Sequence, residues 1–301
     1  MSDPSVPTDP TDPFEALRLG PTPVDPDPGF ATALRERLDR LVLLPEEPMS
    51  TRTATSTNPD TKPGTRNRNG ARQGDISYIT VRVPDLAHTT EFFGRVLGWT
   101  YTPGHDPLGR QVEQVVPMIG LWGGELPAIG TSYGAVLAVR VDDVAAAVRR
   151  VHEAGGTASD PERRPYGLES TGRDDQGMPF WLHELADAPA EAPAPNGAAS
   201  GDVSYLTVIV ADVPRFQRFW STVLEQPQPF DGTAPMMGVH DPLPQHPEPG
   251  VVLAFQVDDI TAAVTQVRAA GGAAADPAQR PYGLESLCDD GRGLPFYLHQ
   301  F

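Results

Sequence analysis

Two histidines stand at matching places in the chain, His183 in the stretch PFWLH and His299 in PFYLH. An imidazole titrates near neutral pH, so each is a candidate proton carrier or ligand hydrogen-bonding group. Two residues before each stands a ring, Trp181 and Tyr297, and residues two apart on a strand share a face. Upstream of each stretch lies the identical heptapeptide RPYGLES, at 164–170 and at 280–286, which supplies Glu169 and Glu285. A carboxylate at the start of a strand either receives a ligand's donor or is neutralised by Arg164 or Arg280 of its own motif. An exposed local ion pair is the expected outcome. Pro281 and Gly283 flank Tyr282 as a turn requires, so the heptapeptide is expected to turn the chain into the penultimate strand. No base, nucleophile and orienting group assemble from these residues, so catalytic residues stay unassigned and ligand hydrogen bonding is the expected use.

The elements that must position these side chains are legible because the region is duplicated. GDISYITVRVPD (74–85) answers GDVSYLTVIVAD (201–212), PMIGLW (117–122) answers PMMGVH (235–240), and LAVRVDDVAAAVRRVHEAGG (137–156) answers LAFQVDDITAAVTQVRAAGG (253–272). The offset falls from 127 to 118 to 116 along the copies, so the second has lost residues between matching strands, where loops tolerate loss. Within a copy, Ile79, Val81 and Val83 alternate with Tyr78, Thr80 and Arg82, the pattern of a half-buried strand. Asp85 then caps a helix carrying Phe92, Phe93, Val96 and Leu97, short strands are expected around 110–122 and 134–141, and Asp142 is expected to cap a second helix ending at Gly155 and Gly156. Two strands close the copy. Trp122 and His240 match each other after PM[IM]G[LV] but differ in type, so the halves are not equivalent if both reach a cavity. Cys288 has no counterpart, Gly172 standing there, and reads as a small buried residue.

The 301 residues fit about two domains, and 34 prolines with 29 glycines confine the core to particular segments. Residues 1–73 read as a largely disordered arm with an amphipathic helix at about 28–44, and 186–200 reads as a Pro/Ala linker. The formal charge is −17, with 9 Arg/Lys against 11 Asp/Glu in 1–73 and 14 against 29 beyond. An acidic body without a basic stripe argues against nucleic acid. No membrane span or export signal is visible, and one cysteine makes no internal disulfide, so a cytoplasmic location is expected.

The stretches ISYITVRVPDL, FFGRVLGW, LAVRVDDV and DDQGMPFWLHEL resemble the vicinal oxygen chelate (VOC) superfamily of glyoxalases, bleomycin-resistance proteins and extradiol dioxygenases. The resemblance spans 74–185 and 201–301. It implies an α+β fold of tandem βαβββ modules forming a paired cupped-sheet pseudo-dimer, the two modules closing around a central cavity within one chain. The monomer is then the expected state. It also implies where metal ligands sit in metal-using members: a His in the first strand, a second ligand before the LAVRVDD stretch, and a Glu in the last strand. Those positions hold Tyr78, Val136 and Trp181 in the first copy and Tyr205, Val252 and Tyr297 in the second. Val and Trp donate nothing to a divalent ion, so neither metal nor other cofactor is expected.

If the old ligand positions face the cavity, its lining is aromatic and takes a flat or partly apolar molecule. The expected ligand-binding residues are Tyr78, Trp122, Trp181, His183, Tyr205, His240, Tyr297 and His299. The leading expectation is a metal-free small-molecule-binding protein of the bleomycin-resistance kind. The alternatives are a VOC-type lyase, isomerase or dioxygenase using Tyr/His/Glu chemistry or a displaced metal, and an interaction protein acting through the 28–44 helix.

Overall fold

The computed structural model describes residues 72–104, 106–124, 134–186 and 198–301; the helix expected at 28–44 and most of the expected linker lie outside the described residues. The first copy runs β1 (Ile76–Arg82), α1 (Leu86–Leu97), β2 (Tyr101–Pro103), β3 (Gly109–Val112), β4 (Met118–Trp122), β5 (Gly134–Arg140), α2 (Val144–Glu153), β6 (Thr157–Ala158), β7 (Glu162–Arg164), β8 (Gly167–Arg173) and β9 (Pro179–Leu185). The second runs β10 (Val203–Ile209), α3 (Val213–Leu224), β11 (Met236–His240), β12 (Gly250–Gln256), α4 (Ile260–Ala269), β13 (Ala273–Ala274), β14 (Ala278–Arg280), β15 (Gly283–Asp289) and β16 (Pro295–Gln300).

Helix starts follow the expected logic with one shift. Asp85 accepts from His88 N at 3.0 Å and opens α1. The cap of α2 is Asp143 rather than Asp142: Asp143 has the extended backbone of a cap and accepts from Ala146 N at 2.8 Å, while Asp142 is drawn to Arg140 at 2.7 Å.

Among the described residues the first sheet has nine strands in the order β2-β3-β4-β1-β5-β9-β8-β6, with β7 on β8, and the second has seven in the order β11-β10-β12-β16-β15-β13, with β14 on β15. The difference is the β2-β3 hairpin, and the offset between copies drops across that stretch. In each module the antiparallel pair β1·β5, or β10·β12, joins the two halves edge to edge, and the first half of the second module is βαβ for want of that hairpin.

Alternation along the strands gives each sheet two unlike faces. Ile79, Val81, Leu137, Val139, Phe180 and Leu182 on one side, and Leu206, Val208, Leu253, Phe255, Phe296 and Leu298 on the other, join the helices in a single buried cluster. Phe93 of α1 packs edge-on against Phe255 and Phe296 with ring centres 5.7 and 5.2 Å away, and Phe180 lies 4.9 Å from Trp220 of α3. Hydrogen bonds from Trp99 Nε1 to Gly201 O (3.0 Å) and from Arg150 Nε to Val223 O (2.8 Å) cross the same boundary.

The two modules therefore pair through their helix-side faces, and each sheet keeps its own cup on the side turned away. The central cavity expected from the resemblance is not what joins them. The reason is area: the helix-side faces carry the large aliphatic and aromatic side chains, whose removal from water is worth about 25 cal/mol per Å². The cup faces mix their rings with His, Glu and Thr and have less apolar area to hide. No described helix is long and apolar enough to cross a membrane.

Candidate ligand-binding site

In the first cup, β1 contributes Tyr78 and Thr80, which pair in register with Ala138 and Val136 of β5 and with Met118 and Gly120 of β4. Ala138 in turn pairs with Trp181, so small side chains of β5 form a floor between Thr80 and Tyr78 on one side and Trp181 on the other. Trp122 lies at the far end beside Arg82. Trp181, Tyr78 and Trp122 are half-buried, whereas His183 is buried. Tyr78 is not a free hydroxyl. It donates to Gln111 Oε1 at 3.0 Å, and burial pushes its pKa up to about 12.

His183 is held from both sides. Its Nδ1 is 3.0 Å from Ser77 Oγ, which also lies 3.1 Å from Ala138 O, and its Nε2 is 3.4 Å from Glu169 Oε2. Glu169 further accepts from Tyr166 OH and, at 3.3 Å, from Arg164 Nε. The exposed ion pair expected from RPYGLES is thus corrected: Glu169 is only 7% exposed, because pairing of β8 with β9 places it directly opposite His183. Burial alone would raise its carboxyl, but the hydrogen bonds from His183 and Tyr166, with the charges of His183 and Arg164, hold it down at about 2.

The second cup repeats the arrangement. His299 Nδ1 lies 3.1 Å from Ser204 Oγ and its Nε2 3.5 Å from Glu285 Oε2, while Glu285 accepts from Tyr282 OH and, at 3.1 Å, from Arg280 Nε. Here Glu285 is less deeply covered than Glu169. Burial lowers the His299 pKa against the opposing pull of Glu285, so the neutral ring is favoured. Tyr205, His240 and Tyr297 lie on the cup face, and Tyr205, Tyr297, Ile209, Val252 and Ala254 form an apolar cluster separate from the shared core. Tyr297 hydrogen-bonds His246 Nε2 at 2.9 Å.

The eight residues expected to bind ligand thus divide between two cups: Tyr78, Trp122, Trp181 and His183 in one, Tyr205, His240, Tyr297 and His299 in the other. The proton-carrier role expected of the histidines is narrowed, since both nitrogens of each ring face protein groups. Ser77, Ser204, Tyr166, Tyr282, Gln111 and His246 were missed. The repeated GD[IV]SY and RPYGLES strings were the available signal for the first four. Cys288 is buried as expected, and its thiol is pushed up to about 11 by burial.

The metal that the resemblance implies does not fit these residues. Val136, Trp181 and Val252 have no donor atom for a hard or borderline ion, and the Tyr78 hydroxyl is spent on Gln111. Among the described residues no three His, Cys, Asp or Glu side chains converge as a ligand set.

Solved structures share the fold at low identity. A catechol 2,3-dioxygenase superposes with a TM-score of 0.55 at 11% identity, over 77% of this chain and 89% of its own. The 2,3-dioxygenase LapB from Pseudomonas sp. KL28 gives 0.54 at 14%, over 75% and 92%. The 2,2',3-trihydroxybiphenyl 1,2-dioxygenase of Sphingomonas wittichii strain RW1 gives 0.53 at 14%, over 76% and 91%. No curated protein matches the sequence. Residues 75–182 match the family described as the Glyoxalase/Bleomycin resistance protein/Dioxygenase superfamily, and the second module repeats the fold of the matched one.

Proposed function

We propose that this protein binds a partly apolar small molecule in an aromatic cup without a metal ion, and does so as a cytoplasmic monomer with no nucleic-acid partner. The observation that carries the reading is the side chains on the cup face. Rings and aliphatic groups occupy the strand positions where ligating side chains would stand, twice over, and the two cup histidines are tied to Ser77 and Ser204. Such a surface offers stacking area with few oriented polar contacts, which suits retention of a flat molecule. The test combines elemental analysis, after incubation with Fe²⁺, Mn²⁺ or Zn²⁺ and desalting, with tryptophan fluorescence across a panel of metabolites and antibiotics. The expected result is no stoichiometric metal and a saturable fluorescence change. About one metal per chain, lost on mutating a cup histidine, would overturn it.

A second reading is an enzyme of VOC type, favoured by the buried Ser77, His183 and Glu169 array and the Tyr166 hydroxyl that joins it from the surface. The dioxygenase names of the structural neighbours point the same way. It predicts that a bound molecule is converted, as seen by mass spectrometry, and that His183→Gln abolishes conversion while binding persists.

A further inference from the structure

We infer that the ligand occupies the cup of the first module and not that of the second, and that it is a planar molecule bearing an acidic oxygen. The inference rests on the reading of the protein as a small-molecule binder. Two polar atoms of the first cup are buried without a hydrogen-bond partner, Thr80 Oγ1 and Trp122 Nε1, and His183 Nε2 reaches Glu169 only at 3.4 Å. Thr80 is 5% exposed. A buried polar atom left unpaired forfeits its hydration with nothing in return, so such atoms mark places where a partner belongs. An indole N–H only donates, so an acceptor oxygen is what satisfies Trp122 Nε1, which turns toward Gly124 on the Arg82 side, while the threonine hydroxyl can pair with a second polar atom.

Charge sets where that oxygen goes. Arg82 sits on the cup face in register with Trp122 and next but one to Thr80, while the ionised Glu169 lies at the opposite end behind His183. An anionic oxygen is repelled from the Glu169 end, which leaves the end where Arg82 Nε donates to Gly124 O at 3.3 Å. Between the ends, Val136 and Ala138 give a low apolar floor and Trp181 an indole wall, which suits a flat ring.

The second cup supplies its own occupant. His246 is 7% exposed, its ring stands edge-on to Tyr297 at 5.6 Å, and its Nε2 takes the Tyr297 hydroxyl. Reciprocal backbone bonds between Leu243 and His246 (2.9 and 3.0 Å) form the tight turn that presents it. Tyr297, the counterpart of Trp181, is left only 8% exposed.

The experiment uses the full chain labelled with 5-fluorotryptophan, its four ¹⁹F signals assigned through Trp122→Phe and Trp181→Phe. The probes are 2-naphthoate and its neutral match 2-naphthalenemethanol. We expect 2-naphthoate to move the Trp122 and Trp181 signals and not those of Trp99 and Trp220, the neutral probe to bind at least tenfold more weakly, and Thr80→Val to weaken 2-naphthoate at least fivefold. Unmoved Trp99 and Trp220 signals in Thr80→Val report that the variant is folded. Equal affinity for the two probes overturns the acidic oxygen. Binding that leaves Trp122 and Trp181 unmoved but is lost in Tyr297→Ala overturns the choice of cup while the small-molecule reading stands. No saturable change with either probe or with the panel above overturns both.

Discussion

The phenol of Tyr78 lies across Gly120, so that a Cβ at Gly120 would overlap the hydroxyl and stand 2.9 Å from Cζ. Tyr205 lies across Gly238 in the same way, with Cζ 3.0 Å and His240 Nε2 2.7 Å from the corresponding point. The glycine of PM[IM]G is therefore required by the ring on the neighbouring strand. Gly120→Ala should destabilise by about 1–3 kcal/mol, the usual cost of overpacking, although alanine suits a strand better than glycine. In the Tyr78→Ala background the same change should cost less. Chemical denaturation of the double-mutant cycle measures the coupling, and additive effects would show that the ring moves aside freely.

Acid stability should report on Glu169. Its folded pKa, about 2, lies below the ordinary 4.5, so its contribution is fully present above about 4.5 and is lost as pH falls through about 2. Glu169→Gln should flatten the loss of stability in that window relative to the parent, and Tyr166→Phe, which removes one donor, should move the loss to higher pH. Urea denaturation at a series of pH values checks both. His299 acts with the same sign higher up: its pKa is lowered, so protonation as pH falls below about 6.5 opposes folding.

Trp181 and Phe180 are neighbours on β9 with opposite duties. Phe180 is 3% exposed and packs on Phe219 and Trp220, so Phe180→Ala should cost about 3–5 kcal/mol of stability. Trp181 faces the cup, and Trp181→Ala should cost less stability while weakening ligand binding. Thermal melts and a binding titration on the two variants give the rank order. Equal destabilisation with unchanged binding would make the indole a core side chain.

How far the sequence reaches is clear from particular residues. The alternation of Ile79 and Val81 with Tyr78 and Thr80, met again in Leu206 and Val208 with Tyr205 and Thr207, gave strand, face and repeat together, because period-2 pattern and duplication are local or near-local signals. The contact of Ser77 with His183 spans 106 positions and depends on register between β1, β5 and β9, which no local pattern encodes. Glu169 read as exposed because its turn looked solvent-facing; its burial comes from the opposing strand. The orientation of the modules turned on which face had more apolar area to hide, a comparison between surfaces rather than along a segment.

That orientation makes the two modules one folding unit. The helices cross over reciprocally: Phe92 of α1 meets Phe296 at 6.0 Å and stands against Gly272, where a Cβ would lie 2.9 Å from the ring, and Phe219 of α3 stands against Gly156, where a Cβ would lie 2.8 Å from it. Polar contacts follow the same exchange. His88 Nε2 is 2.8 Å from Asp290 O, and Gln176 Nε2 donates to Asp212 O at 3.1 Å. Neither sheet can shed its partner without exposing Phe92, Phe93, Phe180 or Phe296 to water. The full chain should therefore melt in a single calorimetric transition whose van't Hoff and calorimetric enthalpies agree. Residues 74–185 expressed alone should lack a cooperative melt and bind a hydrophobic dye such as ANS. Gly272→Trp, which drives a bulky ring into Phe92, should lower the melting temperature of both modules together, followed through ¹⁹F signals of Trp181 in one and Trp220 in the other. Two separated transitions would mean that each cup folds on its own core and that the shared aromatic layer is a contact between finished domains.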